Sequence, residues 1–149
     1  MNFFKLTEEY CKAASAIEAA CLDTAWSEAQ IREAAESDAY VYLTAIENDR
    51  LCAVASACFA AGEAYLVNIA VTEAHRRRGI AEALLRLVEK EAGKRGCSVI
   101  ILEVAEKNKA AISLYEKNGF VKAGLRKGLY GSEDGVVMRK AFHINFASY

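Results

Sequence analysis

The sequence predicts a mixed α/β sheet, mostly antiparallel, with helices on both faces. Three observations carry that expectation. Two β-rich runs, residues 40–46 and 51–59, flank the polar turn Asn48-Asp49-Arg50, which suits an antiparallel hairpin. From Ile80 the apolar period changes: Ile80, Leu84, Leu85 and Val88 recur at helical spacing just after a strand-like run at 64–71. Residues 98–104 are then nearly continuous β-branched and apolar residues, as in a strand covered on both faces.

The remaining elements follow from local signals. Residues 7–21 have helical spacing, and Thr7-Glu8-Glu9 suits a helix start, although Tyr10 stands where a capping box needs Glu or Gln. Residues 22–26 are a break. Ser27 and Gln30 have capping-box spacing for a second helix to about Glu36. The helix that begins at Ile80 should stop near Lys94-Arg95-Gly96, where basic residues and a glycine meet. Residues 110–118 form a short helix closed by Gly119, and 120–124 and 135–139 read as final strands joined by a loop. Layers of helix on sheet bury one core.

The chain has 149 residues, the size of one domain, and a 54% hydrophobic fraction that is ample for a core. Its net charge of −1 argues against a dedicated nucleic-acid protein, and no apolar run is long enough to span a bilayer. Met1-Asn2-Phe3-Phe4 lacks the basic start and apolar stretch of a secretory signal. Five scattered cysteines, odd in number and without a CxxC pair, read as reduced thiols of a cytoplasmic protein. His75 and His143 are far apart with no partners at metal spacing, so no metal is expected.

Chemistry concentrates at Arg76-Arg77-Arg78-Gly79-Ile80-Ala81. A helix N-terminus offers unpaired N–H groups and a partial positive charge. Gly79 admits close approach to the backbone, Ala81 keeps the next position open, and the arginines add charge-assisted bonds, so the segment reads as an anion cradle. A solvated charge run is the alternative. The spacing matches neither a P-loop nor a Rossmann fingerprint.

Arg76-x-x-Gly79-x-Ala81 resembles the Q/R-x-x-G-x-G/A signature of the GNAT superfamily of N-acetyltransferases. The resemblance extends through Asn68-Ile69-Ala70-Val71 before it and Leu102-Glu103-Val104, Asn108, Ala111, Ile112, Leu114-Tyr115-Glu116 and Gly119-Phe120 after it. With Trp26-Ser27-Glu28, these runs are similar to the branch that acetylates the N-terminal alanine of a small-subunit ribosomal protein. The resemblance implies a GNAT fold and acetyl-CoA as co-substrate. Ile69, Ala70 and Val71 would meet the pantetheine arm and acetyl carbonyl, Arg76 through Glu82 would wrap the pyrophosphate, and Asn108 would lie near the reactive end. Glu103 would be the general base and Tyr115 the general acid. The acceptor would be a protein N-terminus or a small amine, and the protein a monomer or weak dimer.

Amide formation needs a neutral amine, and an α-amine with a reference pKa of ~7.7–8.0 needs far less help than a lysine near ~10.4. Glu103 interrupts an apolar strand, where desolvation would raise its basicity; a solvated or ion-paired strand end is the alternative. Splaying of strands at Val71 would leave a backbone N–H for the oxyanion. Tyr115 reads as proton donor to the leaving thiolate or as a core aromatic. Trp26 reads as core or as part of an acceptor groove, and Tyr130, Glu133 and Asp134 as loop residues facing an acceptor. Ala25 stands where that branch carries proline, Ala81 replaces a commoner glycine, and the 130–135 loop is short. A CoA-binding regulatory domain without turnover and a duplex-binding basic segment are the rivals from other classes.

Overall fold

A seven-stranded sheet with strand order β1-β2-β3-β4-β5-β7-β6 organises the protein. The computed structural model describes residues 1–131 and 133–142 and, within them, not the side chain of Tyr130; His143 lies outside the described residues. The strands are β1 (Asn2–Lys5), β2 (Tyr40–Glu47), β3 (Arg50–Ala60), β4 (Glu63–Val71), β5 (Val99–Ala105), β6 (Val121–Tyr130) and β7 (Glu133–Ala141). The helices are α1 (Cys11–Cys21), α2 (Glu28–Glu36), α3 (Ile80–Lys94) and α4 (Lys109–Lys117). Only β4 and β5 pair in parallel; every other neighbouring pair is antiparallel.

Most expected elements form for the expected reasons. Ser27 accepts from the Gln30 N–H while the Gln30 side chain accepts from the Ser27 N–H, a complete capping box on α2. Asn48 and Asp49 take left-handed φ values of 51° and 62°, the backbone that a two-residue turn between Glu47 and Arg50 requires. Residues 8–10 wind as a 3-10 turn before α1 begins at Cys11, and Thr7 makes no side-chain cap. All five cysteines are free thiols, and Cys11, Cys52 and Cys97 are buried.

Alternation along the strands splits the core between the two faces. Tyr42, Val54 and Ala70 pack with Ala14, Ile17 and Ile31 of α1 and α2. Val41, Leu43, Ala53 and Ala55 pack on the other side with Leu84, Leu85 and Val88 of α3. Those three α3 side chains are fully buried, which is worth about 1.5–3 kcal/mol apiece before entropy is counted.

Three differences from expectation matter for the site. The sequence reading has no strand at 2–5, yet β1 adds to the sheet edge beside β2. β6 continues past Gly124 to Tyr130, which pairs with Glu133, so the loop expected at 130–135 is largely strand and Glu133 and Asp134 belong to β7. Asp134 Oδ1 accepts from the Gly128 N–H at 2.9 Å within the hairpin, and Glu133 Oε1 accepts from the Lys107 N–H at 3.2 Å, which ties the hairpin to the turn between β5 and α4.

The third feature opens the sheet. β4 and β5 pair only over Glu63–Tyr65 and Val99–Ile101. Ala57 pairs with Leu66 and Ser56 with Asn68, so Val67 is an extra residue in β4. A bulge bends its strand. Beyond Val67, β4 follows β3 to Val71 while β5 follows β7 to Ala105, and a gap opens between them.

Candidate active site

The gap between the splayed strands is a cleft of about 750 Å³. It is lined by Arg76, Arg77 and Ala81 around the start of α3, by Ile69, Ala70 and Val71 of β4, by Glu103 of β5, and by Asn108 and Tyr115 from the cap and body of α4. The connection between α1 and α2 contributes Leu22, Asp23 and Thr24. A local motif, a strand end and a helix face, distant in sequence, thus share one cavity.

Of the residues expected at the basic end, Arg76, Arg77 and Ala81 line the cleft, and Arg78, Ile80 and Glu82 do not. Gly79 is the N-cap of α3 at φ 75°, and a Cβ there would meet nothing within 4 Å. Arg77 also takes a left-handed φ, 63°, a conformation that costs a non-glycine residue roughly 1–2 kcal/mol. Arg76 Nε donates to the Val71 carbonyl at 3.0 Å, tying the loop back to β4. Arg78 does not line the cleft. It turns to Glu47 in a two-pronged pair of 2.8 and 3.0 Å, and that guanidinium holds the Glu47 carboxyl down at about 2. Glu82 also lies outside the lining, 3.1 Å from Lys117 Nζ, where it ties α3 to α4. Ile80 is buried beneath the helix start.

Backbone direction supports an oxyanion donor. The Thr72 N–H bonds to the Cys52 carbonyl across the β3 side at 2.9 Å. Successive strand residues alternate direction, so the Val71 N–H points the other way, into the gap. Asn108 caps α4 by accepting from the Ala111 N–H at 3.2 Å, which leaves its amide N–H₂ as the group available to the cleft.

Glu103 and Tyr115 face the same cavity from β5 and α4. Of the two readings of Glu103, the ion-paired one matches its surroundings and the dry strand interior does not: its side chain is 33% exposed and accepts from Arg126 Nη1 at 2.7 Å. Tyr115 is 5% exposed and packs edge-on against Phe120 at 5.7 Å between centroids. It is therefore both a core aromatic and a cleft residue. Trp26 stands apart. Its ring packs edge-on against Tyr40 beside a separate depression of about 300 Å³, so it is not a wall of the cleft.

A model of the acetyltransferase (GNAT) family matches residues 5–120. The chain belongs to the acetyltransferase (GNAT) family. The [ribosomal protein bS18]-alanine N-acetyltransferase of Escherichia coli (strain K12) is 36% identical over 107 residues, 69% of this chain and 72% of that one. The crystal structure of the ribosomal-protein-S18-alanine N-acetyltransferase from Escherichia coli superimposes with a TM-score of 0.86 at 30% identity, covering 99% of this chain and 97% of that one. A ribosomal-protein-alanine N-acetyltransferase from Brucella melitensis, at 23% identity, shares the fold with a TM-score of 0.84 over 95% and 100% of the two chains.

Two residues of this GNAT enzyme escape the sequence reading. Arg126 is missed because β6 is read as ending at Gly124. Glu18, fully buried on α1, accepts from the Trp26 N–H at 3.0 Å, from Asn68 Nδ2 at 3.0 Å and from the Tyr42 hydroxyl. Burial, with Glu18 beside it, pushes the Tyr42 phenol far above its ordinary range, so it stays a proton donor.

Proposed function

We propose that this enzyme transfers the acetyl group of acetyl-CoA to the α-amine of a protein N-terminus, with the N-terminal alanine of a ribosomal protein as acceptor, in the cytoplasm. The observation that carries the reading is one cleft lined by Arg76 and Arg77 beside the start of α3 and also by the Glu103 carboxylate and the Tyr115 phenol. The names of the 36% and 30% identical relatives support the acceptor. Free thiols on all five cysteines agree with a reducing compartment.

Acetyl-CoA supplies the activated thioester. The N–H groups at the start of α3, with Arg76 and Arg77, hold its pyrophosphate, and the open space at Gly79 accommodates it. Ile69 and Val71 lay the pantetheine arm along the exposed edge of β4, and the Asn108 amide lies near its reactive end. Glu103, directly or through a water, takes the proton that the amine loses as it attacks the thioester carbonyl. The Val71 N–H donates to the oxyanion that develops. Tyr115 gives its proton to the departing sulfur. With reference pKa values of ~10 and ~8.5, that last transfer is uphill by about 2 kcal/mol, so positive potential from the cradle assists it.

Two expected outcomes test this reading. Offered acetyl-CoA with an alanine-initiated peptide or with a panel of small amines and free amino acids, the enzyme acetylates the peptide with the larger kcat/KM. Turnover confined to small amines overturns the acceptor, and binding of CoA with no turnover of any amine overturns catalysis. Gly79→Asp weakens CoA binding by roughly tenfold or more, through left-handed strain and a negative charge in the cradle together. Calorimetric titration with CoA measures it, and unchanged affinity removes the cradle from its assigned place.

A further inference from the structure

We infer that Glu47, Cys52 and His75 form a binding site for a divalent transition-metal ion of the zinc class. The three come from different elements: the last residue of β2, the third of β3 and the turn after β4. These strands are sheet neighbours, and their ends are locked by the turn at Asn48 and Asp49 and by the Thr72 N–H on the Cys52 carbonyl. One carboxylate oxygen, one thiol sulfur and one imidazole nitrogen lie within 4.8 Å of one another. His75 Nε2 and Glu47 Oε2 are already 3.3 Å apart. A tetrahedral zinc site, with bonds of about 2.0–2.3 Å, keeps its ligand atoms roughly 3.3–3.8 Å from each other. Small rotations of His75 and Glu47, both about a quarter exposed, close that difference onto the buried Cys52 sulfur.

The surroundings orient the donors as metal sites require. Thr72 Oγ1 lies 2.7 Å from His75 Nδ1. As acceptor there it fixes the proton on Nδ1 and turns the Nε2 lone pair toward the other two donors. Arg78 grips both oxygens of Glu47 and sets the plane of its carboxylate, leaving the second lone pair of Oε2 for the ion. A thiolate, an imidazole and a carboxylate select zinc-like ions over magnesium or calcium. Binding exchanges the ion for the Cys52 thiol proton, which goes to solvent, and leaves a thiolate–metal bond; a water fills the fourth position. The charges of thiolate and carboxylate balance the dication. An ion on Oε2 also draws on the carboxylate that holds Arg78, so the site adjoins the loop before α3 without belonging to the cleft.

Cobalt(II) titration of reduced, tag-free protein tests the site. One equivalent is expected to produce a thiolate-to-cobalt charge-transfer band in the near ultraviolet and the visible bands of a tetrahedral ion, both abolished by one equivalent of zinc(II). His75→Gln, at a partly exposed position, keeps the fold by circular dichroism and loses the bands; Cys52→Ala loses them too. Zinc(II) raises the melting temperature of the parent and not of His75→Gln. No band at stoichiometric cobalt, or a band that survives in both variants, overturns the site and leaves Glu47 paired with Arg78 beside the His75 ring.

Discussion

Glu103→Gln is expected to lower kcat for an alanine-initiated peptide by roughly 10²- to 10⁴-fold, the usual worth of a positioned general base, with acetyl-CoA affinity nearly unchanged. The amide matches the carboxylate in shape and still accepts from Arg126, which sits 2.7 Å from Oε1, so the side chain keeps its place while losing its capacity to take a proton. The deficit should narrow as pH rises through ~8, because the α-amine then sheds its own proton before attack. Steady-state kinetics across pH, paired with calorimetric CoA titration, separates this from misfolding. A variant as active as the parent at neutral pH refutes the base. A variant that loses CoA affinity in step with kcat shows that Glu103 supports the cofactor and not the proton.

What the sequence made legible was what is local in the chain. The proposed cradle lies within six consecutive residues, of which Arg76, Arg77 and Ala81 line the cleft, and its strand–turn–helix context is written in the change of apolar period at Ile80. Glu103 and Tyr115 sit on successive elements twelve residues apart, so the strand-then-helix order is legible, while the face of the sheet to which each turns is not. The bulge at Val67, which opens the cleft, leaves no mark in composition, because the extra residue is an ordinary β-former. β6 beyond Gly124 was illegible for a different reason: it is an edge strand whose residues are exposed, so no apolar alternation marks it. That one omission hid Arg126 and with it the real surroundings of Glu103. Contacts made across the fold were out of reach altogether. Glu18 meets Tyr42 and Asn68 across 24 and 50 positions, and Arg78 meets Glu47 across 31. A charged residue in an amphipathic helix normally faces solvent, and nothing within α1 says that this one does not.

Glu18→Ala should therefore be the most destabilising polar substitution in this enzyme. It strips the acceptor from three donors at once: the Tyr42 hydroxyl, Asn68 Nδ2 and the Trp26 N–H. Each donor left dry costs about 1–3 kcal/mol, and because they share one site the losses are not fully additive, so about 3–4 kcal/mol is expected. At about 2–4 °C per kcal/mol for a chain of this size, the melting temperature falls by roughly 6–16 °C. Glu18→Gln separates charge from geometry. Its amide oxygen still accepts from Asn68 and Trp26, but its N–H₂ meets the Tyr42 oxygen as a donor and takes away the acceptor of the Tyr42 hydroxyl proton, so about 1–3 kcal/mol is lost. The same carboxylate fixes the 22–26 connection, because the Trp26 N–H is its ligand, and Leu22, Asp23 and Thr24 of that connection line the cleft. Loosening it should raise KM for the peptide acceptor more than KM for acetyl-CoA, because the proposed cradle is held by the start of α3 and by the Arg76 bond to the Val71 carbonyl, with only Arg76 touching Cys21 at the end of α1. Thermal melts and the two KM values of Glu18→Gln decide the matter: equal rises in both would assign Glu18 to stability alone, and a rise confined to the acceptor would make it the residue that positions the acceptor's side of the cleft.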